Sequence, residues 1–438
     1  VTLEIDQIQG NVLHGYRLPK VAHLFASVTS DNLAACRNWL KNIQVTPAMR
    51  WGAAQPRDTL NIGLSYAAIA ALLPDKAQLI SSLFKAFAQG MRARAHLLGD
   101  PLVDTWAGRD VWICIHAKND GALKTAIEAA QQRADQQGIQ LSPALRGAAL
   151  VEGDHWYEHF GFRDDISNPV VEDTEHLSAR ADARLLAGNG KKDQNGKWVP
   201  LAPGEFVLGY PNESKEIVPT GDLADLFKNG TFAVFRQLQQ HVGRFNDYIE
   251  QTAEKQQIDP DTLAAKMLGR RKDGTPLAPS NGGLNDFDFE SDKDGFGCPF
   301  GAHIRRANPR EPSPVAGGRH RMIRRGIPYG EWFVAKTNGA SNKPPEPSER
   351  GLYFVGLNAN IEEQFEFIQR RWFNDRAAEG IDDRDPLVGI PPGKRTLKIE
   401  GHKPPLTLFD IPEFVTFRGG EYYFMPGLSG LQLLADGT

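Results

Sequence analysis

The 438-residue chain has little cysteine: Cys36, Cys114 and Cys298, with no CxxC among them. An odd number at wide spacing indicates neither a disulfide framework nor a zinc knuckle. Cys298 reads better as a small buried hydrophobe than as a redox thiol. Long apolar runs are missing too. None approaches the roughly 18 residues of a membrane-spanning helix, so no membrane partner is expected. The net charge is only −4, which gives no basic field to attract nucleic acid. The first residues, Val1-Thr2-Leu3-Glu4-Ile5-Asp6, offer neither the basic n-region nor the apolar h-region of a secretory signal. They also lack a Met, as they would if an upstream piece had been processed off. A cytoplasmic location is expected from this composition, with export left open. There is no low-complexity tract and no visible repeat, and oligomeric state is not legible.

What is present suits a globular protein with a sizeable core: 41% hydrophobic and 24% charged residues,. Val21–Val28 reads as a strand, and Ser30-Asp31-Asn32 caps a helix through Leu40. Leu60–Ser65 is a second strand, running into a helix over Ala67–Leu73. Val111–His116 is a third strand, Asp120–Ala134 a helix with Leu123, Ile127 and Ala130 on one face, and Leu145–Val151 a further strand. Strand, helix, strand, strand, helix, strand is the ferredoxin-like βαββαβ order. The second half repeats the alternation with larger insertions. Its strands are expected at Gly230–Leu238 and Leu352–Leu357, its helices at Gln239–Lys255 and Asn360–Phe373. A last pair, Phe414–Phe417 and Glu421–Met425, surrounds Gly419-Gly420, and a helix over Leu428–Leu434 closes the chain. Between the halves, Asn195-Gly196 signals a hairpin.

The chemistry concentrates in Cys298-Pro299-Phe300-Gly301-Ala302-His303-Ile304-Arg305-Arg306-Ala307-Asn308-Pro309-Arg310. One histidine stands among small and apolar residues, with three arginines close behind. A neutral imidazole is a good iron ligand, and guanidinium groups are what a buried dianionic cofactor needs. His303 therefore reads as the axial ligand of a haem, with the arginines as partners of its propionates. A core histidine beside a basic surface turn is the plainer alternative.

Two other stretches bear on the choice. His159-Phe160-Gly161-Phe162-Arg163-Asp164-Asp165-Ile166-Ser167-Asn168-Pro169 puts adjacent acids on a tight turn. One carboxylate projected into a cavity could carry a proton between the two oxygens of a peroxide; a solvated acidic turn is the alternative. Met322-Ile323-Arg324-Arg325-Gly326-Ile327-Pro328-Tyr329 offers a guanidinium that could stabilise the departing oxygen, or merely a basic surface.

Together, in this order and spacing, the three stretches resemble the dye-decolorizing peroxidases over nearly the whole chain. The family's GxxDG motif is matched by Gly161-Phe162-Arg163-Asp164-Asp165. Its proximal histidine segment is matched by Pro299 to Arg306, and its distal arginine by Arg324 ahead of Gly326-Ile327-Pro328-Tyr329. Ile8-Gln9-Gly10-Asn11-Val12-Leu13 and Phe365-Glu366-Phe367-Ile368-Gln369 look like the branch with fungal and cyanobacterial members. The one departure is Asp165, where the motif has its last Gly. A φ > 0 there would strain an Asp, though less than most residues.

The resemblance implies an α+β fold of two ferredoxin-like domains with antiparallel sheets and flanking helices. The domains would span 1–215, carrying the distal Asp loop, and 216–438, holding most of the haem. It implies one haem b per chain with His303 as iron ligand, and a haem peroxidase that reduces hydrogen peroxide and oxidises dyes, phenols and similar bulky aromatic reductants. Asp164 and Arg324 would be catalytic. Asp165, Ile166, Ser167, Asn308, Pro309, Arg310 and Arg324 would touch the haem. The partner of the second nitrogen of His303 would be Asn358, Glu362 or Glu366. An aspartate as proton acceptor would keep working in acid, where a histidine, with a pKa of about 6.5, is protonated. Tyr329 and Trp372 are candidate surface aromatics for passing oxidation to dyes too bulky to enter, or else ordinary packing residues.

Two other functions compete. His155-Trp156-Tyr157-Glu158-His159 is a literal HxxEH, which on a helix would put His155, Glu158 and His159 at a zinc ion. Gly153 and Gly161 leave it barely two turns. A non-enzymatic haem or iron-handling protein on the same fold would need His303 but neither Asp164 nor Arg324.

Overall fold

The computed structural model describes residues 2–49, 55–164, 166–174, 186–310, 319–333, 349–375, 382–390 and 395–437. In the first half, strands β1 (Lys20–Ala26), β2 (Asp58–Leu64), β3 (Val111–Ala117) and β4 (Leu145–Ala148) alternate with helices Leu33–Asn42 and Asp120–Asp135. Asn119 caps the second helix by accepting from the Ala122 N–H,. β1 pairs antiparallel with β3 and β4, and β3 with β2. The spatial order β2-β3-β1-β4 is the ferredoxin-like one that the sequence predicts.

Short hairpins follow: β5 (Leu150–Glu152) with β6 (His155–Tyr157), and β7 (Lys191–Lys192) with β8 (Trp198–Val199). The second turns at Asn195-Gly196 as expected, with Gly196 at φ +76°,. The second half then repeats the first. β9 (Thr231–Gln240) leads into helix Val242–Gln256. The edge strands β10 (Ile323–Arg324) and β11 (Ile327–Tyr329) precede β12 (Gly351–Asn358), and β13 (Arg395–Ile399), β14 (Leu406–Ile411) and β15 (Val415–Met425) complete the set. The order β10-β12-β9-β15 reproduces that of the first half, and Phe424 of β15 opposite Leu64 of β2 joins the two into one sheet. The expected 215/216 division falls between β8 and β9.

Side chains alternate across this sheet with period two. Leu24, Val234 and Phe424 enter one core, beneath the helices Leu33–Asn42 and Asp120–Asp135; Phe25, Phe235 and Tyr423 enter the other. Among the described residues no helix is long and apolar enough to cross a membrane.

Three departures have local causes. The expected last pair of strands is one strand, β15, bulged between Phe417 and Gly419. Gly419 sits at φ +136°, and an added Cβ would meet the Trp106 ring at 2.7 Å. The glycines therefore make a close approach inside a strand, not a turn. The helix over Asn360–Phe373 is wound in π turns at Glu362–Glu366 and Ile368–Phe373, a local widening often found beside functional sites. The helices Pro74–Leu83 and Lys85–Ala93 had no sequence reading; Pro74 is the first residue of the former, where its missing N–H is one that no helix would use,.

Candidate active site

His303 opens the short helix His303–Ala307. Its Nδ1 lies 2.8 Å from Oδ2 of Asp385, whose side chain has no exposure. Oδ1 of Asp385 accepts from the Leu387 and Val388 N–H groups at 2.9 and 2.8 Å. Burial pushes this carboxyl up. The His303 ring, its hydrogen bond and the Val388 N–H outweigh that and hold it below the usual carboxylate range,. An ionised Asp385 makes Nδ1–H the donor and fixes the tautomer. The ring also stacks on Phe373, 5.3 Å between centroids. What remains for a ligand is Nε2.

Of the three residues that the sequence offers for this partnership, none is bonded to His303: two are engaged elsewhere, and the side-chain amide of Asn358 has no hydrogen-bond partner among the described residues. Glu366 is bonded twice by Arg94, both at 2.5 Å, and by the Tyr422 hydroxyl at 2.9 Å. Glu362 also meets Arg94, at 3.1 Å, and Asn358 is buried on β12. Asp385 was missed because nothing in Arg384-Asp385-Pro386 marks it 82 residues downstream of its histidine.

Asp164 is positioned by the β5–β6 hairpin. After β6 the chain turns at Gly161, φ +91°, and comes back along the strand, where Tyr157 bridges Arg163. The Asp164 N–H donates to the Trp156 carbonyl at 2.8 Å, and the Arg163 N–H to the Lys272 carbonyl at 2.9 Å. Glu158 sits at the head of this turn. Burial pushes it up to about 7 against the pull of the Phe160 and Phe162 N–H groups and Gln240, and Asp164 adds to the rise. Asp165 lies outside the described residues. Beyond it, Asn168 Oδ1 accepts from the Arg324 N–H at 2.8 Å, and the Arg324 guanidinium donates to the Ser167 carbonyl. Arg325 lines another part of the same cavity and donates to the carbonyls of Asn11, at 2.8 Å, and Val12, at 3.2 Å.

These elements enclose one cavity of about 760 Å³. Its walls bring together His303, Asp164, Arg324, Ile166, Ser167, Asn308 and Arg310; Pro309 is buried and does not line it. Of the three arginines that follow His303 only Arg310 is on the wall. Arg305 is bound to Asp292 and the Cys298 carbonyl, and Arg306 to the carbonyls of Trp372, Asp383 and Asp375, so both anchor the histidine helix. Further charge comes from other arginines on the wall, Arg270 and Arg321 among them, which no motif in the sequence marks. Burial pulls Arg270 and Arg321 down to about 10, and the charge of Arg324 adds to both falls. Arg310 falls well below the usual guanidinium range through burial and the repulsion of Arg270 and Arg321. Several guanidiniums repelling one another in one cavity are a site for an anion. With an imidazole oriented by a carboxylate, they fit an iron porphyrin with two propionates.

The family model "Dyp-type peroxidase, C-terminal" matches residues 210–384. Peroxidase 2 of Mycetinis scorodonius is 30% identical over 475 residues, covering 99% of this chain and 88% of the relative. The chain belongs to the dye-decolorizing peroxidases. A multifunctional dye peroxidase of Amycolatopsis sp. is likewise 30% identical, over 98% of this chain and 96% of the relative. Among solved structures, a dye-decolorizing peroxidase in complex with 2,6-dimethoxyphenol superposes with a TM-score of 0.79 at 26% identity, covering 99% of this chain and all (100%) of the other. A DyP-type peroxidase of Anabaena sp. gives 0.77 at 25%, covering 98% and 94%. The protein is thus an oxidoreductase of a haem-dependent family, a peroxidase that oxidises dyes and phenols.

Two alternatives that the sequence leaves open do not hold in this dye-decolorizing peroxidase. HxxEH needs a helix to form a zinc site, but His155–Tyr157 is strand β6. Glu158 is taken up by backbone amides, and His159 Nε2 is bound to the Tyr329 carbonyl at 2.8 Å. Among the described residues no group of three or more His, Cys, Asp or Glu could hold a metal. Tyr329 and Trp372 are each only 7% exposed. Tyr329 stacks on Tyr353 and Trp372 packs edge-on to His320, so neither is a surface aromatic.

Proposed function

We propose that this peroxidase carries one haem b per chain, with His303 as iron ligand and Asp164 and Arg324 as the groups that act on hydrogen peroxide. The observation that carries this reading is a single cavity lined by the Asp385-oriented imidazole, the Asp164 carboxylate and a set of arginines that includes Arg270, Arg310, Arg321 and Arg324. Bound haem supplies the iron at which peroxide is reduced. Asp385 keeps Nδ1 of His303 protonated and offers Nε2 to the metal. Arg270, Arg310 and Arg321 neutralise the propionates, and Ile166, Ser167 and Asn308 complete the wall around the ring. The Asp164 carboxylate takes the proton of one peroxide oxygen and returns it to the other, which then leaves as water. The Arg324 guanidinium meets the negative charge that grows on that leaving oxygen. Aromatic dyes and phenols are the reductants.

A haem carrier would need His303 and the arginines but has no use for an acid–base carboxylate in the same cavity as Arg324. The cytoplasm is the compartment we favour, since Cys36, Cys114 and Cys298 are all buried and unpaired,. The test is an absorption spectrum of the purified protein with and without peroxide, repeated on His303→Ala. A Soret band that changes with peroxide in the wild type and is lost in the variant is the expected result. A normal band and wild-type turnover in His303→Ala would move the ligand elsewhere.

A further inference from the structure

The turn before Asp164 depends on one side chain that the peroxide chemistry leaves unused. Glu158 lines the same cavity as Asp164. Its Oε1 accepts from the Phe162 N–H at 3.0 Å, and its Oε2 from the Phe160 N–H at 2.9 Å. Oε2 also accepts from Gln240 Nε2 at 2.6 Å, which ties the carboxyl to the end of β9. The Glu158 backbone closes the same loop, with N–H donating to the Phe162 carbonyl at 3.0 Å and C=O accepting from the Gly161 N–H at 2.9 Å. The Phe160 and Phe162 rings are buried against Phe245, with centroids 4.5 and 6.5 Å away. Asp164 follows two residues after Phe162.

Geometry explains why a glutamate stands here. A turn wedged by two buried phenylalanines cannot give its amides to water, and an unmatched buried N–H is costly. Serving two amides and a side-chain donor at once takes an acceptor with two oxygens and several lone pairs. We propose that Glu158 is the positioning residue of the Asp164 loop: its carboxylate clasps the Phe160 and Phe162 amides to β9, and so sets where Asp164 meets peroxide. This rests on the reading of Asp164 as the acid–base group. Gln240 Oε1 is buried with no partner among the described residues. A half-turn of that amide would therefore present an acceptor in place of a donor, so the clasp also accommodates a protonated Glu158.

The test uses the haem-loaded enzyme as wild type, Glu158→Leu, Glu158→Gln, Gln240→Leu, Asp164→Asn and the double variant Glu158→Leu/Asp164→Asn. Two readouts are taken: hydrogen exchange of the amides across residues 157–164, and the second-order rate of the peroxide reaction. Glu158→Leu should speed exchange at Phe160 and Phe162 by about tenfold or more, as for loss of a charge-assisted hydrogen bond. It should also slow the peroxide reaction by a comparable factor. Glu158→Gln, with one acceptor oxygen, can serve only one of the two amides, so exchange should slow again at that amide and stay fast at the other, with a partial recovery of the rate. Gln240→Leu, which keeps the carboxylate, should show a smaller change of the same sign even if Glu158→Leu does not fold. In the Asp164→Asn background the Glu158→Leu change should have almost no further effect on the rate, because it acts through Asp164. Unchanged exchange in Glu158→Leu and Gln240→Leu, or rate losses that multiply independently in the double variant, would overturn the proposal. Should Asp164→Asn alone leave the rate untouched, the reading of Asp164 fails and the positioning role with it. Faster exchange in Glu158→Leu would then mark only a structural clasp.

Discussion

The Nδ1 of His303 and the Oδ2 of Asp385 are 2.8 Å apart, and the carboxylate is held from its other oxygen by two backbone amides. The ring cannot rotate without breaking a charge-assisted bond to a fully buried carboxylate,. Asp385→Asn keeps the shape but removes the charge. It should weaken haem retention by about 10–100-fold, the range for losing a group that orients a metal ligand. Titration of the apoprotein with haemin, followed at the Soret band, measures this. Wild-type affinity in the variant would mean that the pair does not orient the ligand.

Arg324 and Arg325 are neighbours with separate duties. Arg324 is tied to Ser167 and Asn168 beyond the Asp164 turn, whereas Arg325 holds the Asn11 and Val12 carbonyls. Arg324→Leu should slow the peroxide reaction by about 10²–10³, as for removal of a charge-stabilising donor. Arg325→Leu should act mainly on stability, by roughly 1 kcal/mol for each hydrogen bond lost. Stopped-flow rates and thermal melts of both variants separate the effects; equal kinetic losses would contradict the division.

The arginine cluster predicts opposite signs for two measurements. Arg321 is lowered by burial and by Arg324, and its hydrogen bonds to the Asn189 and Gly190 carbonyls are long, 3.5 and 3.4 Å. Arg321→Met should therefore leave the apoprotein as stable as the wild type or more so, by relieving repulsion. The same change should weaken haem binding and lower the melting temperature of the loaded protein. Melting curves with and without haem test this, and a variant destabilised equally in both forms would refute it.

Buried titratable groups shape the pH dependence of stability. Burial lowers His23 and His116 to about 3 and His159 to about 4. Their unfolded value is about 6.5, so their contribution is complete above that pH and is lost as pH falls toward 4 and 3. Burial raises Glu158 and Glu205 to about 7. Their contribution is present below the unfolded value of about 4.3 and is lost as pH rises through 7. The two sets oppose each other between roughly pH 4.5 and 6.5, where the wild type should lose stability only gently with acid before falling faster below. Glu205→Gln removes one opposing proton, so its melting temperature should fall faster than that of the wild type across the same window. Parallel curves would show that Glu205 does not take up a proton on folding.

The sequence made legible whatever is carried by local pattern. Strand and helix alternation gave both ferredoxin-like halves. The stretches around Asp164, His303 and Arg324 gave three residues that the fold brings to one cavity. What it hid depends on long-range contact. Asp385 has no motif of its own. Arg305 and Arg306 look the same as Arg310 in the sequence, yet only Arg310 reaches the cavity: the first two lie on the short helix His303–Ala307, and Arg310 lies beyond its end, at φ +57°. Gly419-Gly420 carries a turn signal, but the Trp106 ring above it decides for a bulged strand. Tyr329 and Trp372 look available for dye oxidation until their burial is seen.

The central claim is that an aspartate, not a histidine, handles the proton of peroxide. The direct measurement is the stopped-flow rate of the spectral change on mixing with hydrogen peroxide, from about pH 4 to 7, for the wild type and Asp164→Asn. A carboxylate base predicts a wild-type rate that persists on the acid side, below the histidine value of about 6.5, and a variant slower by about 10²–10⁴ throughout, the usual contribution of acid–base catalysis. A wild-type rate that titrates away near pH 6, or a variant with an unchanged rate and profile, would contradict it.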